Sequence, residues 1–168
     1  MPKTRPIKNQ EQIESIANYL KDTSERDYIL FMLAIHTGIR MKELLYLRVR
    51  DVKDKEFIEA GSSSTARQIP VNKDLGKVLD EYIKEKDENH FLVHNLNSEH
   101  ENISDYTAYR NLKIAFNAVG LEGGCSLRKT FGYWYYKEYK DVALLKKILG
   151  QNTIIDSLKY IDWTEGDE

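Results

Sequence analysis

A polar capping residue followed by apolar residues at three- and four-residue spacing recurs along this chain, which confines it to a mainly helical fold. Asn9-Gln10-Glu11-Gln12 reads as a capping box, and Ile13, Ile16, Ala17 and Leu20 follow on one helical face. Ser24 opens a second helix. Its interior, Tyr28 to Ile35, is apolar nearly all round, as in a central buried helix, and Gly38 stops it. A short helix is expected over Met41–Leu47. Later helices are expected from Lys73 to Lys86, from the cap Ser104 to Val119, from the cap Ser126 through an aromatic-rich stretch, and from Asp141 to Gly150. Thr153-Ile154-Ile155-Asp156 caps a last helix, which carries Tyr160.

Between Arg48 and Val71 the pattern changes. Val49, Val52, Phe57, Ile58, Ile69 and Val71 stand among Asp, Gly and Ser, which reads as short strands of a small antiparallel sheet with a flexible turn at Gly61-Ser62-Ser63-Ser64-Thr65. Phe91-Leu92-Val93 is a candidate further strand, Gly120 to Gly124 a loop, and the acidic tail Thr164 to Glu168 is expected to fray. The fold class is therefore mainly α with a small antiparallel β-sheet (α+β), in one domain over residues 1–168.

A chain of 168 residues can bury a core without staples. The single cysteine, Cys125, rules out an intramolecular disulfide and cysteine-based zinc patterns. No apolar run approaches the roughly 18 residues of a membrane span, and Met1 to Pro6 lack the apolar core of a signal peptide, so the cytoplasm is expected. The net charge of −2 does not announce a nucleic-acid partner. It does not exclude one, because DNA needs only a local basic face.

Two arginines sit where phosphate is held well. Arg40 follows the glycine break in Thr37-Gly38-Ile39-Arg40 at the start of a helix, and Arg128 lies in the first turn of the helix capped by Ser126. Helix N-termini attract anions, and guanidinium grips phosphate bidentately. Each has a plainer reading: Arg40 as a surface residue paired with Glu43, Arg128 as a solvated basic residue.

Together these segments resemble the catalytic domain of tyrosine-type site-specific recombinases, the phage integrase family. Thr37 through Leu47, running on to Arg48-Val49-Arg50-Asp51-Val52, resembles the box with the leading arginine. Cys125-Ser126-Leu127-Arg128-Lys129-Thr130-Phe131 resembles the family's His-x-x-Arg segment. Leu144 through Ile161, with Leu149-Gly150-Gln151 and Leu158-Lys159-Tyr160-Ile161, resembles the box of the nucleophilic tyrosine. Three boxes in order make the likeness specific. It implies attack by Tyr160 on a DNA phosphodiester, a 3′-phosphotyrosine link and a free 5′-hydroxyl, with Arg40 and Arg128 on the non-bridging oxygens. It implies double-stranded DNA as partner, possible self-association on DNA, and neither cofactor nor metal.

Three positions depart from the family pattern. Arg67-Gln68-Ile69-Pro70 fixes the hairpin frame and puts Ser62 where the family has a lysine that protonates the leaving oxygen. Cys125 stands for the family's His, and Gln151 for its His or Trp. The family's usual N-terminal DNA-binding domain is also expected to be absent. The likeness thus leaves open a catalytically inactive DNA-binding relic or regulator on the same scaffold, and the acidic balance keeps a protein-interaction domain in view. The remaining features read blandly. Phe131, Trp134, Tyr135 and Tyr139 form a helix core stripe, His90, His94 and His100 are not held on one helix face, and lysines such as Lys53, Lys55, Lys146 and Lys147 belong to solvated faces.

Overall fold

The computed structural model describes residues 3–62 and 66–168. In chain order these form α1 (Gln10–Thr23), α2 (Glu25–Thr37), α3 (Met41–Leu44), α4 (Val49–Val52), β1 (Phe57–Ala60), β2 (Arg67–Pro70) and α5 (Lys73–Ile83). There follow β3 (His94–Asn95), β4 (Ser98–Asn102), α6 (Asp105–Ala118), α7 (Leu127–Tyr139), α8 (Val142–Leu149), α9 (Ile154–Tyr160) and a final 3-10 turn at Glu165–Asp167.

The helix starts fall where the capping residues place them. Asn9 accepts from the Glu11 and Gln12 amides, Ser24 from Asp27, Ser104 from Thr107, Ser126 from Lys129, Asp141 from Leu144 and Thr153 from Asp156. Each such cap satisfies an otherwise orphaned amide and is worth about 1 kcal/mol. Helix α2 is the central element. Ile29, Leu30, Phe31 and Leu33 are buried on it, and it packs against α1, α5, α6 and α7. It ends at Gly38, whose φ of 67° is left-handed, and a Cβ there would lie 2.3 Å from Phe131 Cδ1. The glycine thus ends α2 and lets α7 approach the turn that leads to Arg40.

The strands form two separate antiparallel hairpins. In the first, Ile58 faces Ile69 on the buried side, while Phe57 and Pro70 pair toward the outside. The second joins β3 to β4 across the turn Asn95–Ser98.

Three expectations need correction. Val49 and Val52 belong to a one-turn helix, not a strand. They bury at i and i+3, and the Asp51 carboxylate accepts the Arg48 amide at 2.8 Å, which closes the turn. Phe91–Val93 is not a strand of its own: Phe91 makes a single bridge to Arg48, the Leu92 amide bonds the Leu47 carbonyl, and regular pairing starts only at His94. The acidic tail does not fray. Asp167 accepts from Lys8 Nζ at 2.8 Å, from Tyr133 Oη at 3.0 Å, and from the amide and hydroxyl of Thr164. Trp163 lies among Tyr133, Tyr136 and Lys140. Ser63, Ser64 and Thr65 of the expected turn lie outside the described residues. Among the described residues no helix is long and apolar enough to cross a membrane.

Candidate active site

Helix α8 ends with main-chain carbonyls that have no partner within the helix and carry the negative end of its dipole. Two arginines from other elements cover them. Arg128, in the first turn of α7, donates from Nη2 to the Leu149 carbonyl and from Nε to the Gly38 carbonyl at 2.9 Å. Arg67, on β2, donates from Nε to the Ile148 carbonyl at 2.9 Å and pairs with the Glu43 carboxylate at 3.4 Å. The two guanidinium groups thus tie the α2–α3 turn, the first hairpin and the end of α8 around one point.

Arg40 stands at that turn. It is the residue before α3, in extended conformation and exposed. Burial lowers the pKa of Arg67. Glu43 opposes this, and the charges of Arg128 and Arg40 lower it further. Arg40 and Arg128 therefore both lie within electrostatic reach of Arg67, which is paired to Glu43. Such an arrangement is self-repelling when empty and favourable around an anion. Glu43 pairs with Arg67, not with Arg40 as the plainer sequence reading had it.

Tyr160 closes α9 beside this cluster. The Arg128 Cζ lies 5.6 Å and the Lys129 Nζ 5.2 Å from its ring centroid. The next residue, Ile161, is fully buried and anchors the tyrosine against α7, where Gly132 has no side chain to obstruct it. The structure thus brings Arg128 to Tyr160, and sets Arg40 and Arg128 about Arg67.

The three altered positions are placed as follows. Ser62 is exposed, past the end of β1 and after Gly61 at φ 90°. Cys125 is half-buried next to Arg5, with which it makes an isolated parallel bridge. Burial pushes its thiol up, opposed by Arg5, so it is a poor base at neutral pH. Gln151 is half-buried after the left-handed Gly150, its amide bonded to the Lys146 carbonyl.

Sequence reasoning used Arg67 only to set the hairpin frame and passed over Lys129. A long cationic side chain on a strand, next to inward-facing Ile69, was the available signal for Arg67. The adjacency to Arg128 was the signal for Lys129. Of the bland readings, the aromatic stripe is only partly core: Phe131 is buried, Trp134 and Tyr135 are half-buried, and Tyr139 is exposed. With Met32, Ile35 and His36 they line an open groove of about 1060 Å³. His90 packs edge-on against His100 at 5.1 Å and faces Glu99 at 3.4 Å. Lys53 pairs with Glu88 at 3.1 Å.

Residues 8–164, nearly the whole chain, match the phage integrase family. The chain belongs to this family. It is 37% identical over 161 residues to the probable integrase/recombinase YoeC of Bacillus subtilis (strain 168), a match covering 94% of this chain and 88% of that protein. With tyrosine recombinase XerA of Pyrococcus furiosus it shares 24% identity over 167 residues, covering 95% of this chain but 58% of the archaeal protein. A crystal structure of XerA recombinase has the same fold, with a TM-score of 0.81 at 17% identity, over 98% of this chain and 63% of that one. This phage integrase family chain therefore spans most of one relative and less than two thirds of the other.

Proposed function

We propose that this member of the phage integrase family breaks and rejoins double-stranded DNA in site-specific recombination or integration. The observation that carries this is Arg128 beside the Tyr160 ring, with Arg40 and Arg128 both within electrostatic reach of Arg67. In this reading the scissile phosphate enters between the arginines. Tyr160 Oη attacks phosphorus, the bond to the 5′-oxygen breaks, and a 3′-phosphotyrosine forms. Arg40 and Arg128 meet the non-bridging oxygens and stabilise the charge that gathers there. Arg128 is already oriented by two carbonyls, so little reorganisation is needed on binding. The covalent link keeps the energy of the phosphodiester, so rejoining needs no nucleotide. Such chemistry belongs in the cytoplasm, alongside the DNA, with other copies of the chain assembling on the same duplex.

Three substituted positions favour a second reading. The Cys125 thiol is pushed up by burial, Ser62 is no acid, and Gln151 cannot exchange a proton, so the scaffold can grip DNA with weak or no cleavage. A suicide-substrate assay separates the two. Nicked duplexes trap the covalent protein–DNA adduct, with Tyr160→Phe as the blank. Adduct from the wild type supports the recombinase. Adduct only after Ser62→Lys, Cys125→His and Gln151→His together marks a site whose helpers limit it. DNA binding with no adduct from either protein favours the relic.

A further inference from the structure

With serine at position 62, the nucleophile and the leaving oxygen need another proton carrier. Lys129 is the lysine held beside Tyr160: its Nζ lies 5.2 Å from the ring centroid. Proton transfer from the phenol oxygen to an amine placed over the ring needs a bridging water. The ammonium is not left to wander in solvent. It donates to the Thr4 carbonyl at 2.8 Å. Thr4 belongs to an N-terminal strap, residues 3–8, that is fastened along the start of α7. The Arg5 amide bonds the Gly124 carbonyl and the Ser126 amide the Arg5 carbonyl, each at 2.9 Å. The Ile7 amide meets Thr130 Oγ1, and Trp134 Nε1 meets the Ile7 carbonyl, also at 2.9 Å.

The charged groups facing Lys129 come from three elements. Lys3 comes from the strap and Asp162 from the segment after α9, and Arg128, from its own helix, shares the Tyr160 ring with Lys129. Lys3 and Asp162 themselves pair at 3.5 Å. Burial lowers the pKa of Lys129, Lys3 lowers it further, and Asp162 opposes. The neutral amine is therefore easier to reach than for a free lysine.

We propose that Lys129 is the proton-transfer residue of Tyr160, in place of the hairpin lysine; this rests on the recombinase reading above. The neutral amine takes the proton from Tyr160 Oη as the oxygen–phosphorus bond forms. As the bond to the 5′-oxygen breaks, the new ammonium returns that proton to the 5′-oxygen through solvent. No proton is gained or lost overall, and rejoining runs the same transfers backwards. The strap supplies the fixed carbonyl that keeps Nζ at the ring.

The test uses a pool of nicked duplexes with randomised arms, made in two forms: an ordinary phosphodiester and a 5′-bridging phosphorothiolate. Sulfur leaves without a proton, so the second form isolates activation of the tyrosine. Adduct formation is followed against pH. The wild type should rise along one limb on both forms. Lys129→Arg, whose guanidinium stays charged, should lose that limb and fall at least about tenfold near neutrality on both forms. Lys129→His should move the limb to lower pH, because imidazole titrates near about 6.5. A structural role for Lys129 would not move the limb. Lys129→Ala adduct at the wild-type rate and with the wild-type pH profile would overturn the inference alone. Absence of adduct from the wild type, above the Tyr160→Phe blank and on both forms, would overturn this inference, and absence from the variant with Ser62→Lys, Cys125→His and Gln151→His as well would overturn the recombinase reading with it. If the alanine variant melts before assay, the histidine variant decides: an unmoved limb counts against Lys129.

Discussion

Gly132 sits in the middle of α7 with ordinary helical geometry, so alanine there should gain about 1 kcal/mol of helix propensity. The packing opposes it. A Cβ at Gly132 would lie 2.5 Å from Ile161 Cγ2, 3.4 Å from Leu149 Cδ1 and 3.7 Å from Leu145 Cδ1. Carbon atoms rest at about 3.5–4.0 Å, so the Ile161 methyl must retreat by roughly 1–1.5 Å. Ile161 is fully buried, and such overpacking costs about 1–3 kcal/mol. Overpacking should win by about 1 kcal/mol, which in a chain of this size lowers Tm by about 2–4 °C. The displaced residue adjoins Tyr160, so adduct formation should fall more than stability does. Ile161→Leu removes the offending β-branch at constant volume. In that background Gly132→Ala should turn neutral or stabilising, a coupling of about 0.5–3 kcal/mol in a double-mutant cycle read by thermal melting. A rise in Tm for Gly132→Ala alone, with no coupling to Ile161→Leu, would refute the close approach on which this reasoning stands.

Three further outcomes follow from named contacts. Arg128→Ala uncovers the Gly38 and Leu149 carbonyls and should cost about 1–3 kcal/mol for each group left unpaired, measured by urea unfolding; a variant as stable as the wild type would show that water replaces the guanidinium. The Lys8 ammonium, with Thr164 and Tyr133, holds the Asp167 carboxyl well below the usual carboxylate range. Its folded-state pKa is below the unfolded value of about 3.9, so its contribution is complete at neutral pH and is lost as pH falls below about 4. The wild-type Tm should therefore drop more steeply than that of Asp167→Asn between pH 5 and 2, and parallel curves would contradict the clasp. Arg40 is exposed and its side chain makes no hydrogen bond or ion pair among the described residues, so Arg40→Ala should leave Tm nearly unchanged while lowering the salt slope of DNA binding by about 1; an unaltered slope would place the phosphate elsewhere.

The helices were legible because their signals are local. A cap such as Ser24 or Thr153 declares itself within four residues, and the apolar stripe that follows needs no knowledge of its partner. The one-turn helix α4 was not, since Val49 and Val52 suit a strand as well as a helix, and the choice was made by the Asp51 carboxylate reaching back to Arg48. The His94–Asn102 hairpin was masked by polar residues with no alternation to read. The clasp of the tail depends on Lys8 and Asp167, 159 residues apart, which no window of sequence connects. The site divides the same way. Arg40, Arg128 and Tyr160 were reached through ordered boxes, while Arg67 and Lys129 gain their meaning only from what folds beside them.

The anchoring of the arginines bears on how much each residue says about function. Arg128 is held by the carbonyls of Gly38 and Leu149, and Arg67 by that of Ile148. Main-chain carbonyls are offered by any residue at those positions, so the cluster survives substitution at Cys125 and Gln151 without losing these bonds. The same bonds give Arg128 and Arg67 a folding role: removing either exposes the end of α8. Their presence therefore follows from stability as well as from phosphate binding, and is compatible with a scaffold that no longer cuts. Arg40 and Tyr160 differ. Arg40 is exposed at a turn, and the Tyr160 side chain is half-buried at the edge of the core with cations on its ring. A phenol placed against Arg128 and Lys129 offers less to folding than it does to attack on a phosphate. Weight in deciding between recombinase and relic thus belongs with Tyr160 and Arg40, and the adduct assay, which reads the tyrosine directly, is the measurement that separates them.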